Sequence, residues 1–262
     1  CISDSTNIAT IKLNSNHFTF NNCDLIFSQN TNNACSMGIF ISNTKSVSIL
    51  NSNFKNCYGS QPGSAIRSLS QDDFETSFTV ASCTFEECTP ESNVYTTNRI
   101  VNFLNNSISC SNINKKINGI FANYICQLLI DNCTFTKCSY SSDGASIRYA
   151  PPTFDQKVKE SIIVQNCKCI ECSGRGSLIS ANPFDSHPKF INVSILKSYH
   201  TFNFIIETKS NQQQNPGEVL LQNVSFIDNH PNGNVALGGG GIGFWYMTKN
   251  TNEDTVSFIG CH

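Results

Sequence analysis

The heptapeptide Asn132-Cys133-Thr134-Phe135-Thr136-Lys137-Cys138, NCTFTKC, recurs in related forms along the whole chain. Nine copies carry Phe or a substitute at the position of Phe135, and most carry Cys three residues later: Phe20, Phe54, Phe85, Ile108, Phe135, Cys169, Ile195, Phe226 and Phe258. They recur about every 30 residues, a period typical of solenoids, propellers and repeat arrays. The spacing varies, which favours a solenoid with fixed strands and variable loops.

Strand-like patterns surround each copy. Apolar residues such as Val47 and Ile49 lie seven and five residues before the aligned position, and a spacing of two is typical of a β-strand. The next position expected to face inward lies three residues after Ile49 rather than two. A step of three breaks the alternation of a single strand, so a tight turn must separate two strands. A third strand-like element begins with Gly or a small residue, as in MGIFIS (37–42), GSAIRS (63–68), NGIFAN (118–123) and GASIRY (144–149). We therefore predict three strands per coil, with the rest of the coil supplying the crossover that parallel strands need.

Asparagine is frequent three residues before the aligned position. Six of the nine copies carry it there: Asn51, Asn105, Asn132, Asn166, Asn192 and Asn223. Asn tolerates left-handed backbone, and stacked amides can hydrogen-bond from coil to coil, so we predict an inward-facing asparagine ladder. Four of these residues, Asn105, Asn132, Asn192 and Asn223, also begin N-x-S/T sequons. Because a glycan on an inward amide would break the ladder, we expect the sequons to be mostly unoccupied.

The 14 cysteines fall mostly into two columns. One column, three residues after the aligned position, comprises Cys23, Cys57, Cys88, Cys138, Cys172 and Cys261, and the other, two residues before it, comprises Cys83, Cys133 and Cys167. Stacked cysteines on neighbouring coils lie close enough for disulfides, yet free Cys also packs well as a small apolar side chain, and both interpretations stay open. The cluster CKCIEC (167–172) suggests zinc, but a zinc site needs four converging ligands. The repeat accounts for all three cysteines, and we predict no metal and no cofactor.

Two families share this pattern. The two-part repeat, F-x-x-C/N followed by G-[GSA]-A-I-like strands, resembles that of the polymorphic outer-membrane-protein adhesins, and the Asn turn resembles right-handed parallel β-helices of the pectin-lyase type. The resemblance implies an all-β, right-handed parallel β-helix of about nine coils. It covers residues 1–262 as a single domain, which we expect to be a fragment of a longer repeat protein.

The resemblance to adhesins implies a non-catalytic surface adhesin or structural stalk that binds host or neighbouring-cell proteins or glycans. The many Cys, Asn and Ser residues favour an extracellular or cell-surface location. Only 14% of residues are charged and the net charge is −2, which argues against nucleic-acid binding. No apolar run approaches the roughly 18 residues needed to span a bilayer, so we expect no membrane insertion by this segment.

Two other functions stay open at this point. One is a carbohydrate-active lyase or glycosidase, but of the polygalacturonase-like motifs only Asp72-Asp73 is present, in a polar loop. Arg67 and Arg148 share one strand position, yet intervening coils separate them, and we assign no catalytic residue. The other is a filament subunit that self-associates through uncapped ends.

Overall fold

The computed structural model describes residues 9–27, 37–59, 62–70, 76–89, 91–110, 117–123, 125–143, 145–150, 161–175, 178–181, 188–198, 204–207, 219–229, 242–245 and 256–259. Within these ranges the protein consists of 28 strands without a helix. Accordingly, the described residues contain no helix long and apolar enough to cross a membrane. Nearly all strand pairs are parallel, and the predicted class, an all-β parallel solenoid, is confirmed.

The strands, numbered in chain order, form three sheets of 11, nine and eight strands. Sheet one contains β1 (Ala9–Asn14), β4 (Met37–Thr44), β7 (Ile66–Ser70), β10 (Glu91–Thr96), β13 (Ile117–Asn123), β16 (Ser139–Asp143), β17 (Ile147–Ala150), β20 (Ser173–Arg175), β21 (Ile179–Ala181), β24 (Phe204–Glu207) and β27 (Ile242–Trp245). Sheet two contains β2 (His17–Asn21), β5 (Ser46–Leu50), β8 (Ser77–Ala81), β11 (Ile100–Leu104), β14 (Gln127–Asp131), β18 (Ser161–Gln165), β22 (Lys189–Ile191), β25 (Val219–Gln222) and β28 (Val256–Ile259). Sheet three contains β3 (Asp24–Ile26), β6 (Asn53–Lys55), β9 (Thr84–Glu86), β12 (Ser107–Ser109), β15 (Thr134–Thr136), β19 (Lys168–Ile170), β23 (Ser194–Leu196) and β26 (Ser225–Ile227).

Each coil passes through sheets one, two and three in turn, so β1, β2 and β3 are followed by β4, β5 and β6 in the next layer. Inward side chains from all three sheets form one continuous core. In sheet three the aligned positions of the repeat stack directly, with the rings of Phe54 and Phe85 5.0 Å apart and nearly parallel. Burying each such side chain stabilises the fold by about 1.5–3 kcal/mol.

Most coils have two corners at which a single residue adopts the left-handed conformation. The first corner joins sheet two to sheet three, and its left-handed residues are Asn22, Asn51, Ser82, Asn105, Asn132, Asn166, Asn192 and Asn223. The second corner follows sheet three, and its left-handed residues are Asn56, Glu87, Lys137, Glu171, Lys197 and Asp228. The next residue is buried or half-buried at every one of these corners except that of the exposed Cys23, which explains the break in alternation seen in the sequence.

The strand register corrects the alignment at both ends of the repeat. Phe20 pairs with Ile49 in sheet two, and Leu25 pairs with Phe54 in sheet three. The first copy is therefore centred on Leu25, and the prediction of Phe20 was wrong. Phe258 likewise pairs with Leu221 in sheet two. The error arose because the pattern F-x-x-C fits both corners of a coil, five residues apart.

Candidate functional site

The six asparagines predicted to form a ladder all lie at the first corner, with φ between 46° and 56°. Their side chains are exposed, so the expectation that they face inward was wrong. Hydrogen bonds nevertheless join several of them across coils: Asn132 Nδ2 donates to Asn105 Oδ1 at 2.9 Å, and Asn192 Nδ2 donates to Asn166 Oδ1 at 3.0 Å. Asn223 continues this row onto Asn192, whereas Asn166 donates to Asp131 and Asn51 donates to Asn21. We call this set of exposed amides the outer asparagine row.

The inward amide that links coils belongs to the residue after the left-handed one. Asn106 is buried, its Nδ2 donates to the Val80 carbonyl at 2.9 Å, and its Oδ1 accepts the Cys83 N–H at 2.8 Å. Asn229 makes the same pair of bonds at a second corner, to Ile195 and Ser198. Sequence reasoning missed both residues because they stand in columns otherwise occupied by Cys, Ser or Val.

Most of the described cysteines occupy the position after the left-handed residue of a corner. Cys57, Cys88, Cys138 and Cys172 lie at second corners, as their predicted column implied, and all four are buried. Cys23 does not belong to that column, because it precedes Leu25 as Ser52 precedes Phe54, and it is exposed. It therefore lies at a first corner, in the column of Cys83, Cys133 and Cys167. Cys261 lies outside the described residues.

Hydrogen bonding explains why cysteine suits these corners. At first corners the Sγ of Cys133 donates to the Asp131 carbonyl at 3.3 Å, two residues earlier, and at second corners Cys172 donates to Ile170 at 3.5 Å. Ser52 makes the equivalent bond to Leu50 at 2.6 Å. A small side chain with one donor thus gives the carbonyl a second hydrogen bond, because the carbonyls of Asp131, Ile170 and Leu50 also accept a backbone N–H from the neighbouring coil.

Several thiols touch thiols of the neighbouring coil. The Sγ atoms of Cys110 and Cys138 are 3.6 Å apart, Cys138 also contacts Cys172, and Cys57 contacts Cys88. None of the 11 described cysteines forms a disulfide. Cys110 was missed because it stands one residue earlier in its coil than the column requires.

Three of the corner thiols, those of Cys83, Cys88 and Cys138, are poor nucleophiles. Burial raises the pKa of Cys83 to about 11, and burial together with the adjacent Cys57 raises the pKa of Cys88 well above its ordinary value. Hydrogen bonds to Cys110 and Cys172, followed by burial, raise the pKa of Cys138. A protonated, buried thiol neither attacks an electrophile nor ligates a metal readily.

The CKCIEC cluster does not converge on a point. Cys167 lies at a first corner and Cys172 at a second corner, while Lys168 and Glu171 point outward. In the ranges that the structure describes, no group of three or more His, Cys, Asp or Glu side chains could hold a metal ion. Asp72 and Asp73 lie outside the described residues.

The face with the most distinctive chemistry is the outer surface of sheet one. Strand register places six side chains in a single line across β1, β4, β7, β10, β13 and β17: Lys12, Phe40, Arg67, Tyr95, Phe121 and Arg148. We call this line the cation–aromatic row. The structure thus aligns Arg67 with Arg148 and fills the two intervening coils with aromatic rings.

Close contacts order this row. The Arg67 guanidinium lies 5.0 Å from the Tyr95 ring centroid, and the Arg148 guanidinium lies 4.5 Å from that of Phe121. The two rings meet edge to face at 5.2 Å, and Lys12 Nζ lies 5.8 Å from the Phe40 centroid. Such cation–π contacts are worth about 0.5–2 kcal/mol each and hold the cations in place.

Two features make this face a candidate binding surface. The parallel row of sheet one that lies beside it consists of uncharged residues: Asn14, Ser42, Leu69, Thr97, Asn123 and Ala150. The described side chains of this second row therefore add no charge beside the cation–aromatic row. In addition, Asn123 Nδ2 donates to the Tyr95 hydroxyl at 3.1 Å, which fixes the phenol between the two arginines.

Only part of this row had a signal in the sequence. Arg67 and Arg148 follow the same Ile in GSAIRS and GASIRY, and Phe40 and Phe121 follow it in MGIFIS and NGIFAN. Tyr95 was not placed, because its strand, ESNVYT, lacks the leading Gly.

The comparisons with protein-family models, curated proteins and solved structures found no match. They lend no support to membership of the adhesin or pectin-lyase families, and the fold class stands on the structure alone.

Proposed function

We propose that this chain is a non-catalytic, extracellular or cell-surface solenoid that binds a linear acidic polysaccharide along sheet one. The observation that carries the proposal is the cation–aromatic row. It combines cations, which pair with carboxylate or sulfate groups, with aromatic rings, which pack against the apolar faces of sugars.

The geometry of the row favours an extended polymer over a small ligand. Successive side chains are separated by the spacing of parallel strands, about 4.8 Å, so Arg67 and Arg148 stand about 14 Å apart. This line crosses successive coils and therefore runs along the solenoid axis. A ligand with anionic groups repeated along its own length matches such a line better than one compact molecule does.

The arginines are also well suited to the role. A guanidinium donates two parallel hydrogen bonds to a carboxylate or sulfate, and its planar shape allows stacking on a ring at the same time. Because the rings already hold Arg67 and Arg148, less side-chain entropy is lost when the ligand binds. Charge complementarity therefore favours an acidic glycan over a neutral one.

Binding of the purified chain to immobilised polygalacturonate and heparin, with dextran as the neutral comparison, tests the proposal. We expect binding to the two acidic polymers that weakens steeply with added NaCl, and none to dextran. The substitutions Arg67→Gln and Arg148→Gln should each weaken binding by about 10- to 150-fold, because hydrogen bonds to charged groups are worth about 1.5–3 kcal/mol.

A matched control removes two cations from other surfaces. Lys55 lies on the outside of sheet three and Lys137 at a second corner, and their replacement by Gln changes the net charge as much as the arginine pair does. We expect the control to bind normally. Equal losses of binding in the double variant of Arg67 and Arg148 and in the double variant of Lys55 and Lys137 would show that net charge alone explains the effect. Retention of acidic glycans by the arginine double variant would overturn the proposal. Binding of acidic proteins but of neither polymer would also overturn it and point to a protein partner.

A further inference from the structure

We infer that the outer asparagine row accepts N-linked glycans, and that each pair of sequons on neighbouring coils carries no more than one glycan in the folded protein. The pairs are Asn105 with Asn132, and Asn192 with Asn223. The inference rests on the extracellular location in the proposed function, because N-glycans are added to secreted chains.

The direction of the side chains removes the objection that a glycan on an inward-facing amide would break the ladder. All four sequon asparagines adopt the left-handed conformation and are exposed, while the residue after each one is buried. The corner thus turns the acceptor amide away from the core. In Asn105-Asn106-Ser107, for example, Asn106 makes the inward hydrogen bonds and Asn105 remains on the surface.

The hydrogen bonds of the row are compatible with one glycan. An amide nitrogen carries two hydrogens, and the bond from Asn132 Nδ2 to Asn105 Oδ1 uses one of them. Attachment of a sugar replaces one hydrogen and leaves the other as a donor. At Asn105 the constraint is weaker still, because Ser82 occupies the preceding position of the row, so no amide oxygen stands there to accept its Nδ2.

The same hydrogen bonds exclude a second glycan in each pair. Asn132 Nδ2 lies 2.9 Å from Asn105 Oδ1, and Asn223 Nδ2 lies 3.0 Å from Asn192 Oδ1. The two amides are thus stacked at the spacing of adjacent coils, about 4.8 Å. A sugar with its substituents is wider than this spacing, so two sugars fit only if the amide bond breaks and both side chains rotate apart.

The position of the row leaves the proposed binding face clear. The first corner separates sheets two and three, so glycans attached there project from the edge that is not part of sheet one. Asn166 supplies an internal reference, because it occupies the same row and is exposed, but Lys168 stands where a sequon needs Ser or Thr.

Two variants with two sequons each provide the test. Asn132→Gln with Asn223→Gln retains Asn105 and Asn192, which belong to different pairs, whereas Asn192→Gln with Asn223→Gln retains the neighbours Asn105 and Asn132. The whole 262-residue chain is expressed behind a secretion leader in cultured eukaryotic cells. Intact mass before and after glycosidase treatment counts glycans on the secreted, folded protein, and circular dichroism verifies its β-structure.

We expect two glycans per molecule on the separated pair and one on the neighbouring pair, which is a twofold difference at equal sequon number. The wild-type chain should carry one or two. Two glycans on the secreted neighbouring-pair variant, or three or four on the wild type, would overturn the exclusion. Secreted protein without any glycan would overturn the inference as a whole. The outcome is separable from the proposed function, because polysaccharide binding is measured on the same samples after deglycosylation.

Discussion

The two corners of each coil share a backbone conformation and differ in the residue that adopts it. At the first corner, seven of the eight left-handed residues are Asn, the exception being Ser82. At the second corner only Asn56 is Asn, and the remaining five are Glu, Lys or Asp. At both corners the next residue faces inward, apart from the exposed Cys23, and it is Cys, Ser or Asn except at two first corners, where it is Val193 and Val224.

This difference separates what the backbone requires from what the side chain adds. The left-handed conformation costs about 1–2 kcal/mol for most residues, and the second corner tolerates this cost with Glu87, Lys137 and Glu171. Asparagine is therefore not needed to turn the chain. At the first corner its amide bonds to the coil beside it, whereas Lys137 and Glu171 at the second corner approach only to 3.8 Å.

The largest effect we expect is a loss of stability at alkaline pH that comes from buried thiols at both corners. The pKa values of Cys88 and Cys138 at second corners, and of Cys83 and Cys167 at first corners, are raised above the ordinary 9.0. Below pH 9 these thiols are protonated in both folded and unfolded chains, so they add no pH dependence. Above it the unfolded chain releases protons that the folded chain retains, so the free energy of unfolding falls as pH rises towards 11.

Urea unfolding at pH 7, 9 and 10.5 with a reducing agent measures this fall. Cys88→Ser and Cys138→Ser should each flatten the profile, since a hydroxyl does not titrate in this range. Cys83→Ser is the matched first-corner variant, for which we expect a smaller flattening. A stability profile that is level from pH 9 to 10.5 in the unmodified chain would contradict the prediction.

The inward position of the first corner should be the most sensitive to substitution. Asn106→Leu removes two hydrogen bonds between coils and leaves the buried Cys83 N–H and Val80 carbonyl without their partner. Each unsatisfied buried group costs about 1–3 kcal/mol, so we expect a loss of about 3 kcal/mol in urea unfolding. Asn105→Ala is the sequence-adjacent control, with an expected loss of about 1 kcal/mol. Equal losses would mean that the exposed amide matters as much as the buried one.

Alanine at the left-handed positions should distinguish the corners directly. Asn132→Ala loses the bond to Asn105 and places a residue less suited than Asn in left-handed backbone, so we expect a loss of about 1–2 kcal/mol. Lys137→Ala replaces one ill-suited residue with another and should change stability by less than about 0.5 kcal/mol. Thermal or urea unfolding of both variants decides the point, and a Lys137→Ala loss as large as that of Asn132→Ala would refute a special role for the row.

The smallest effect concerns the ion pair at the second corner. Lys137 Nζ and Glu171 Oε2 are 3.8 Å apart, with side chains 44% and 40% exposed. Exposed pairs of this kind contribute about 0.2–1 kcal/mol and are weakened by salt. A double-mutant cycle with Lys137→Met and Glu171→Gln should give a coupling near the lower limit that vanishes at high salt. A coupling above about 1 kcal/mol would show that the second corner also has a stabilising side-chain row.

The sequence predicted much of the fold because each position of the repeat occurs in several copies, and the copies can be compared with one another. The three strands per coil and the turn after the second strand followed from apolar spacing around residues such as Phe135. The alignment failed at Phe20 and Phe258, because a coil contains two similar corners and a single copy cannot show which one it is. It also placed the inward amide at Asn105 rather than Asn106, because spacing identifies the turn but does not give the direction of the side chain within it.

The candidate binding face was less predictable. The pattern indicated that Arg67 and Arg148 occupy equivalent positions, but it did not reveal Tyr95, because the strand ESNVYT lacks the leading Gly of the other copies. Register across the sheet then placed Tyr95 and Phe121 between the two arginines. Contacts between residues about 27 positions apart along the chain depend on how coils stack, which no local pattern encodes.

The sequence by itself determined that this chain is an all-β parallel solenoid, since strand periodicity, turn residues and a repeat of about 30 residues agree on that class. Only the tertiary structure decided which residues meet: that Asn132 bonds to Asn105 on the surface, that Cys110 lies against Cys138 in the core, and that cations and rings share one row along sheet one. The physical reason is that periodicity fixes the conformation of each strand, whereas stacking fixes the neighbours of each side chain, and binding and modification depend on those neighbours.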